Sequence, residues 1–173
     1  MGSPKALLKI GEETFVECIV RKAKEAGIQS ILLITGKDPI VPPQGVFAVK
    51  NEDYRRGQIS SVQKGIQQVQ SGAILVWPVD QPLIQAETLR KLLGSYQREQ
   101  KNLTIPVYQS KKGHPVIYSR TAMEAALRLL PDETGKDLQS QFATSTHFVE
   151  VEDPAILIDI DTREDYSRHI SNV

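Results

Sequence analysis

Ala73-Ile74-Leu75-Val76-Trp77-Pro78-Val79-Asp80-Gln81-Pro82-Leu83 runs from five consecutive apolar residues into an acid held between two prolines. Branched side chains in an unbroken run, with Gly72 before it and Pro78 after it, predict a strand buried on both faces of a parallel sheet. Asp80 falls just past the carboxyl end of that strand, where Pro78 and Pro82 discourage the chain from running straight into a helix. Ligands of open α/β sheets bind in the crevice outside such strand ends. A carboxylate there can offer an oxygen to Mg²⁺ and leave the ion's other positions to phosphates and water. It can equally cap the next helix or close a turn.

Around that strand the apolar pattern alternates helices with strands. Between Glu13 and Ala26, the residues Phe15, Ile19 and Ala23, joined by Val16 and Val20, recur at helical spacing; Glu13 or Thr14 serves the N-terminus and Gly27 stops the helix. Residues 31–34 and 46–49 follow as buried strands ending at Thr35-Gly36 and at Asn51, with an irregular loop at Pro39, Pro42, Pro43 and Gly45 between them. Val62, Ile66 and Val69 mark a second helix, and Leu89, Leu92, Leu93 and Tyr96 a third. Residues 103–108 and 116–118 are strands too close in sequence for a helical crossover, which predicts a hairpin-like excursion. Helices near residues 121–130 and 136–142 lead to strands at 148–151 and 156–160, and a last helix starts in 161–166.

The charge balance, 21 Lys plus Arg against 21 Asp plus Glu, leaves no global field to draw the chain to nucleic acid or to a membrane surface. Small anions have to be held locally. The 173 residues suffice for one domain with a sizeable core, and 1–173 carries no repeat, linker or low-complexity segment. No apolar run approaches a membrane span, and no basic segment followed by an apolar one opens the sequence. The single cysteine, Cys18, lies in an amphipathic pattern beside Ile19, which predicts packing and a reducing, cytoplasmic setting.

Three further stretches place polar groups at element ends. Arg55-Arg56-Gly57-Gln58-Ile59-Ser60-Ser61 leads into the second helix. Gly57 permits close backbone approach, and Ser60 or Ser61 can cap an ordinary helix or meet a nucleotide's ribose or phosphate. The basic loop Lys111-Lys112-Gly113-His114-Pro115 can face an anionic substrate or form a solvated turn. Asp159 and Asp161 alternate with isoleucines and so project on one side of an extended strand. Two carboxylates so placed need a cation or donors, although Asp161 also suits an N-cap.

Together, Pro4-Lys5-Ala6-Leu7-Leu8, Gly57-Gln58-Ile59-Ser60-Ser61, Pro78-Val79-Asp80-Gln81-Pro82-Leu83, Gly113-His114-Pro115-Val116 and Asp159-Ile160-Asp161-Thr162-Arg163-Glu164-Asp165-Tyr166 resemble the MobA-like nucleotidyltransferases, nearest to their molybdenum cofactor cytidylyltransferase branch. The resemblance covers nearly the whole chain, with the motifs in order. It implies a nucleotide-diphosphosugar transferase fold, GT-A-like and Rossmann-like: a mostly parallel α/β sheet with flanking helices and the nucleotide lying across the strand ends. It implies transfer of CMP from CTP to molybdopterin with release of pyrophosphate. Within it, Lys5 matches the lysine near the phosphates, Asp80 with Asp161 or Asp159 opposite holds Mg²⁺, Gly57, Ser60 and Ser61 border the nucleoside, and Gly113, His114 and Pro115 face the acceptor. An acceptor molybdoenzyme is a further partner, and neither nucleic acid nor membrane is expected.

The resemblance departs at the front. The family begins with a strand and a glycine-rich loop of the form Leu-Ala-Ala-Gly-x-Ser-x-Arg ahead of the Met-Gly that starts this sequence, and that loop supplies backbone N–H groups to the nucleotide. The absent first strand would lie mid-sheet, between the strands near Ile31 and Ala73, so its loss leaves two interior edges unpaired. Met1 is therefore expected to be an internal methionine of a longer protein. Arg163 stands where the family has proline. Two alternatives stay open: a guanylyltransferase or other NTP transferase of the same fold, and a non-catalytic molybdenum cofactor-binding partner.

Overall fold

Local signals set most of the elements. The computed structural model describes residues 4–38, 40–70 and 72–170. Pro39 of the expected loop and the residues before Pro4 lie outside that range. In chain order the described residues form β1 (Lys9–Ile10), β2 (Glu13–Thr14), α1 (Phe15–Glu25), β3 (Leu32–Thr35), β4 (Phe47–Lys50), α2 (Gln58–Ile66), β5 (Ile74–Val76) and α3 (Ala86–Glu99). There follow β6 (Leu103–Tyr108), β7 (Lys111–Lys112), β8 (Val116–Tyr118), α4 (Arg120–Ala126), α5 (Gly135–Gln141), β9 (Thr146–Glu150) and α6 (Arg163–His169). Thr14 caps α1 through a capping box with Glu17, each satisfying a backbone N–H of the other's residue. The same device, Thr162 with Asp165, starts α6, so Asp161 is not the N-cap and its carboxylate is left for other partners.

The sheet is mixed. β5 pairs with β8 antiparallel, Leu75 opposite Ile117, and β8 pairs with β6 antiparallel, Leu103 opposite Tyr118, as the short connection between residues 108 and 116 requires. β9 adds to β6 in parallel, and β7 folds back on the end of β6. Separately, β3 and β4 pair in parallel, Leu33 opposite Ala48. The strand expected to be buried on both faces of a parallel sheet is thus shorter, antiparallel to its neighbour and half-buried. A second correction concerns residues 156–160, where a 3-10 turn at Pro154–Leu157 replaces the expected strand. Asp153 accepts from Ala155 N and Pro154 sits at the turn's start, so the apolar run is wound before it can extend.

Alternation along the strands divides the core between two faces. On one, Leu103, Ile105, Val116 and Tyr118 pack with Ile59 and Ile66 of α2, Met123 of α4 and Leu138 of α5. On the other, Ile117 and Val149 pack with Leu92 of α3, Ile84 and Ile156. β3 packs between α2 and α1: a Cβ on Gly65 of α2 would sit 3.5 Å from Ile34, while Leu33 joins Val16 and Val20 of α1. Yet β3 and β5 are not bonded to each other, and each has one edge without a strand partner among the described residues. Leu32 to Ile34 and Ile74 to Val76 are all half-buried, where central strands of an α/β layer are normally covered.

Candidate active site

The turn after β5 brings its acid to bear on two distant segments. Gln81 N donates to Pro78 O at 3.2 Å, closing the turn, and the Trp77 indole N–H donates to Gln81 O at 2.9 Å. Ile160 N donates to Asp80 O at 2.8 Å, which lays the 159–161 segment beside the turn. Lys22 on α1 steadies it from behind by donating to Pro82 O at 2.8 Å.

Lys5, on a 3-10 turn at Lys5–Leu7, points its ammonium between two carboxylates. It lies 3.5 Å from Asp80 Oδ2 and donates a short hydrogen bond to Asp161 Oδ1. Burial pushes the Lys5 pKa down, but the bond to Asp161 and the charges of Asp80 and Asp161 outweigh it and hold the group above its ordinary value. Asp80 Oδ1 is buried with no hydrogen-bond partner. Asp159 turns the other way and accepts from Gln81 Nε2 at 2.7 Å.

The loop that carries Gly113, His114 and Pro115 also reaches this cluster. Gly113 N donates to Pro106 O at 2.9 Å and His114 N to Ile156 O at 3.2 Å. A Cβ on Gly113 would fall 2.8 Å from Ile156 Cβ and closer still to the Ile156 carbonyl, so only glycine lets the loop lie this tightly on the 3-10 turn. Burial lowers the His114 pKa, with the Asp159 and Asp80 charges opposing it. The backbone of Pro115 continues into β8 from a cis bond after His114.

Gly57, Ser60 and Ser61 make a separate group, and no hydrogen bond or ion pair among the described residues links them to Lys5 and Asp80. Gly57, with φ +88°, is itself the N-cap of α2, so Ser60 and Ser61 lie inside the helix and do not cap it. The buried Asn51 donates to Ser60 Oγ at 2.9 Å and to Ser61 Oγ at 3.1 Å, and Ser60 Oγ donates on to Gly57 O at 2.8 Å. Gly57 keeps its side-chain-free approach to the start of α2. Gln81 and Asn51 are the polar residues to which the sequence pointed only as neighbours of other motifs; their signal is burial, which periodicity does not give for a loop residue.

The set fits a hard cation in part. Among the described residues no group of three or more His, Cys, Asp or Glu is poised around one point. Two carboxylates that share an ammonium, one with an orphaned buried oxygen, suit a cation such as Mg²⁺ that takes few protein ligands and fills the rest with phosphate and water.

A mixed α/β sheet with flanking helices is the fold of a nucleotidyltransferase. The chain belongs to the family of the MobA-like NTP transferase domain, which matches residues 1–147. It is similar to the molybdenum cofactor cytidylyltransferase of Escherichia coli (strain K12), 23% identical over 173 residues that span 96% of this chain and 86% of that protein. A probable molybdenum cofactor guanylyltransferase of Bacillus mycoides (strain KBAB4) is 24% identical over 176 residues, spanning 95% and 86%. Among solved structures, Rv0371C of Mycobacterium tuberculosis H37Rv in complex with manganese superposes with a TM-score of 0.77 at 24% identity, covering 98% of this chain and 93% of that one.

Proposed function

We propose that this chain transfers CMP from CTP to the terminal phosphate of molybdopterin and releases pyrophosphate, in the biosynthesis of a molybdenum cofactor. The observation that carries it is the Lys5 ammonium between Asp80 and Asp161 at the end of β5, with Asp80 Oδ1 buried and free. In-line attack by one phosphate on the α-phosphate of another spreads negative charge over phosphoryl oxygens, so the protein's part is to position and to neutralise. Lys5 supplies a permanent point charge to the triphosphate, and its raised pKa keeps it protonated through the neutral range. Asp80 and Asp161 would hold Mg²⁺, which screens the phosphates and orients them. Gly57 at the start of α2 leaves backbone N–H groups open to the nucleotide, while Gly113, His114 and Pro115 border the acceptor. A cytoplasmic location and hand-over to an acceptor molybdoenzyme complete the proposal. Among the described residues no helix is long and apolar enough to cross a membrane.

The relatives divide between cytidylyl and guanylyl transfer at similar identity, and the choice of CTP rests on the resemblance of Gln81-Pro82-Leu83 and Gly113-His114-Pro115 to the cytidylyl branch. The test is turnover of labelled CTP and GTP with molybdopterin and Mg²⁺, following pyrophosphate and the dinucleotide product. Faster consumption of GTP reverses the base assignment. Binding of molybdopterin with no turnover of either nucleotide points to a non-catalytic partner.

Asp161 should matter more than Asp159 to the metal, because Asp161 shares Lys5 with Asp80 whereas Asp159 Oδ1 is already engaged by Gln81. With Asp161→Asn, the Mg²⁺ concentration for half-maximal rate should rise by about tenfold or more, the scale of lost ligand contacts. A larger rise with Asp159→Asn inverts the assignment.

β3 and β5 each have one edge without a strand partner among the described residues, and we propose that one further extended apolar strand fills a gap between them. Fusing roughly ten to twenty residues, one strand and a glycine-rich loop, ahead of Met1 should raise both the melting temperature and CTP transfer. If such a segment changes neither, the gap is not a strand site.

A further inference from the structure

Two segments 78 residues apart meet through a buried amide. Gln81 is only 4% exposed, and its Nε2 donates to Asp159 Oδ1 at 2.7 Å. The orientation is fixed by chemistry, since turning the amide over would set its oxygen against a carboxylate oxygen. Gln81 Oε1 is left buried and without a partner, directly beside the residue whose Oδ1 is in the same condition. Buried polar atoms left unpaired are rare enough that two in adjacent side chains call for a functional cause. The backbone adds a second tie, Ile160 N to Asp80 O at 2.8 Å. Lys5 spans the open side, from Asp80 to Asp161.

These bonds divide the labour of the acidic residues. Asp80 and Asp161 face the lysine, while Asp159, two residues before Asp161, is turned toward Gln81 with one oxygen consumed. Backbone bonds alone fix where the two segments touch. They do not fix how each is rotated about its own axis, and that rotation aims Asp80 and Asp161 at a common point. A side-chain bond from the residue after Asp80 to the residue two before Asp161 removes that freedom.

We propose that Gln81 is a positioning residue, with Asp159 as its anchor: their hydrogen bond sets the rotation of the Asp80 turn against the 159–161 segment and so aligns Asp80 with Asp161. This assignment rests on the nucleotidyl transfer proposed above, and it places Asp159 outside the groups that touch metal or phosphate. A neutral amide suits the task, because it donates to one carboxylate without adding charge to a site that already sets one ammonium against two acids.

The test is an exchange of the two partners. Gln81→Glu sets a carboxylate against Asp159 and should lower kcat by about tenfold or more, with KM for CTP changing less, the scale of coupling between touching groups. Asp159→Asn keeps an oxygen to accept from Gln81 and should cost less than Gln81→Glu. Combining Gln81→Glu with Asp159→Asn restores a donor opposite an acceptor, so the double variant should be faster than Gln81→Glu alone. The melting temperature in the absence of divalent metal should follow the same order, which reads the tie without turnover. Rates are compared at a temperature where circular dichroism shows every variant folded. A double variant no better than Gln81→Glu, or an Asp159→Asn as damaging as Gln81→Glu, overturns the assignment. If the unaltered protein transfers neither CMP nor GMP, the functional proposal fails, and the metal-free melting series still decides whether the tie exists.

Discussion

Replacing Asp80 by alanine should reduce nucleotidyl transfer by at least about a hundredfold, the usual cost of removing one preorganised group that meets charge in the transition state. The expectation rests on Asp80 Oδ1, buried without a partner, and on Oδ2, 3.5 Å from the Lys5 ammonium. Stability should respond in the opposite sense or not at all. A buried carboxylate oxygen with no donor is a cost to the folded state, and the ion pair with Lys5 is partly exposed and so worth little. The turn itself is held by backbone bonds, Gln81 N to Pro78 O and Ile160 N to Asp80 O, which the substitution leaves in place. An unchanged or slightly higher melting temperature with lost activity is therefore the diagnostic pair. Asp80→Asn serves as the isosteric control. Full activity in Asp80→Ala with an unaltered Mg²⁺ requirement would remove Asp80 from the site.

Gly113→Ala should do the reverse, harming the fold as well as the chemistry. Its Cβ would meet the Ile156 Cβ at 2.8 Å and the Ile156 carbonyl more closely, and both belong to a 3-10 turn whose Ile156 side chain is fully buried. Neither neighbour is the far end of a flexible side chain, so the loop has to lift. Overpacking of this kind costs about 1–3 kcal/mol, which in a chain of this size lowers the melting temperature by about 2–4 °C per kcal/mol. Lifting also breaks the His114 N to Ile156 O bond and moves His114 from Asp159 and Asp80, the two charges that act on it. KM for the pterin acceptor should then rise more than KM for the nucleotide. Thermal unfolding and steady-state kinetics on the one variant check both parts. A melting temperature equal to that of the unaltered protein would mean the loop relaxes freely, and the close approach would carry no weight.

What the sequence by itself determined is what acts over a few residues. The start of α1 at Thr14, one of the two candidates beside Glu13, the helical spacing of Phe15, Ile19 and Ala23, and the antiparallel pairing of β6 with β8 across a short connection all follow from neighbours along the chain. Asp80 past a strand end was legible for the same reason: proline restricts its own φ and the residue before it, whatever the remainder of the fold does.

Only the tertiary structure decided which distant groups meet. Lys5 and Asp161 are 156 residues apart, and Gln81 and Asp159 are 78 apart; nothing in either stretch marks its partner. The direction of β5 was misread because an unbroken apolar run records burial and says nothing of a neighbour's polarity, and β8 arrived antiparallel. Residues 156–160 failed as a strand because Asp153 and Pro154 wind a 3-10 turn whose Ile156 fills the core beside Val149 and Leu92. Ser60 and Ser61, natural caps by type, lie inside α2 behind the Gly57 N-cap, where Asn51, from just past the end of β4, donates to both hydroxyls. At Ser60 and Ser61 a capping preference of about 1 kcal/mol yields to buried hydrogen bonds formed only once the chain has closed on itself.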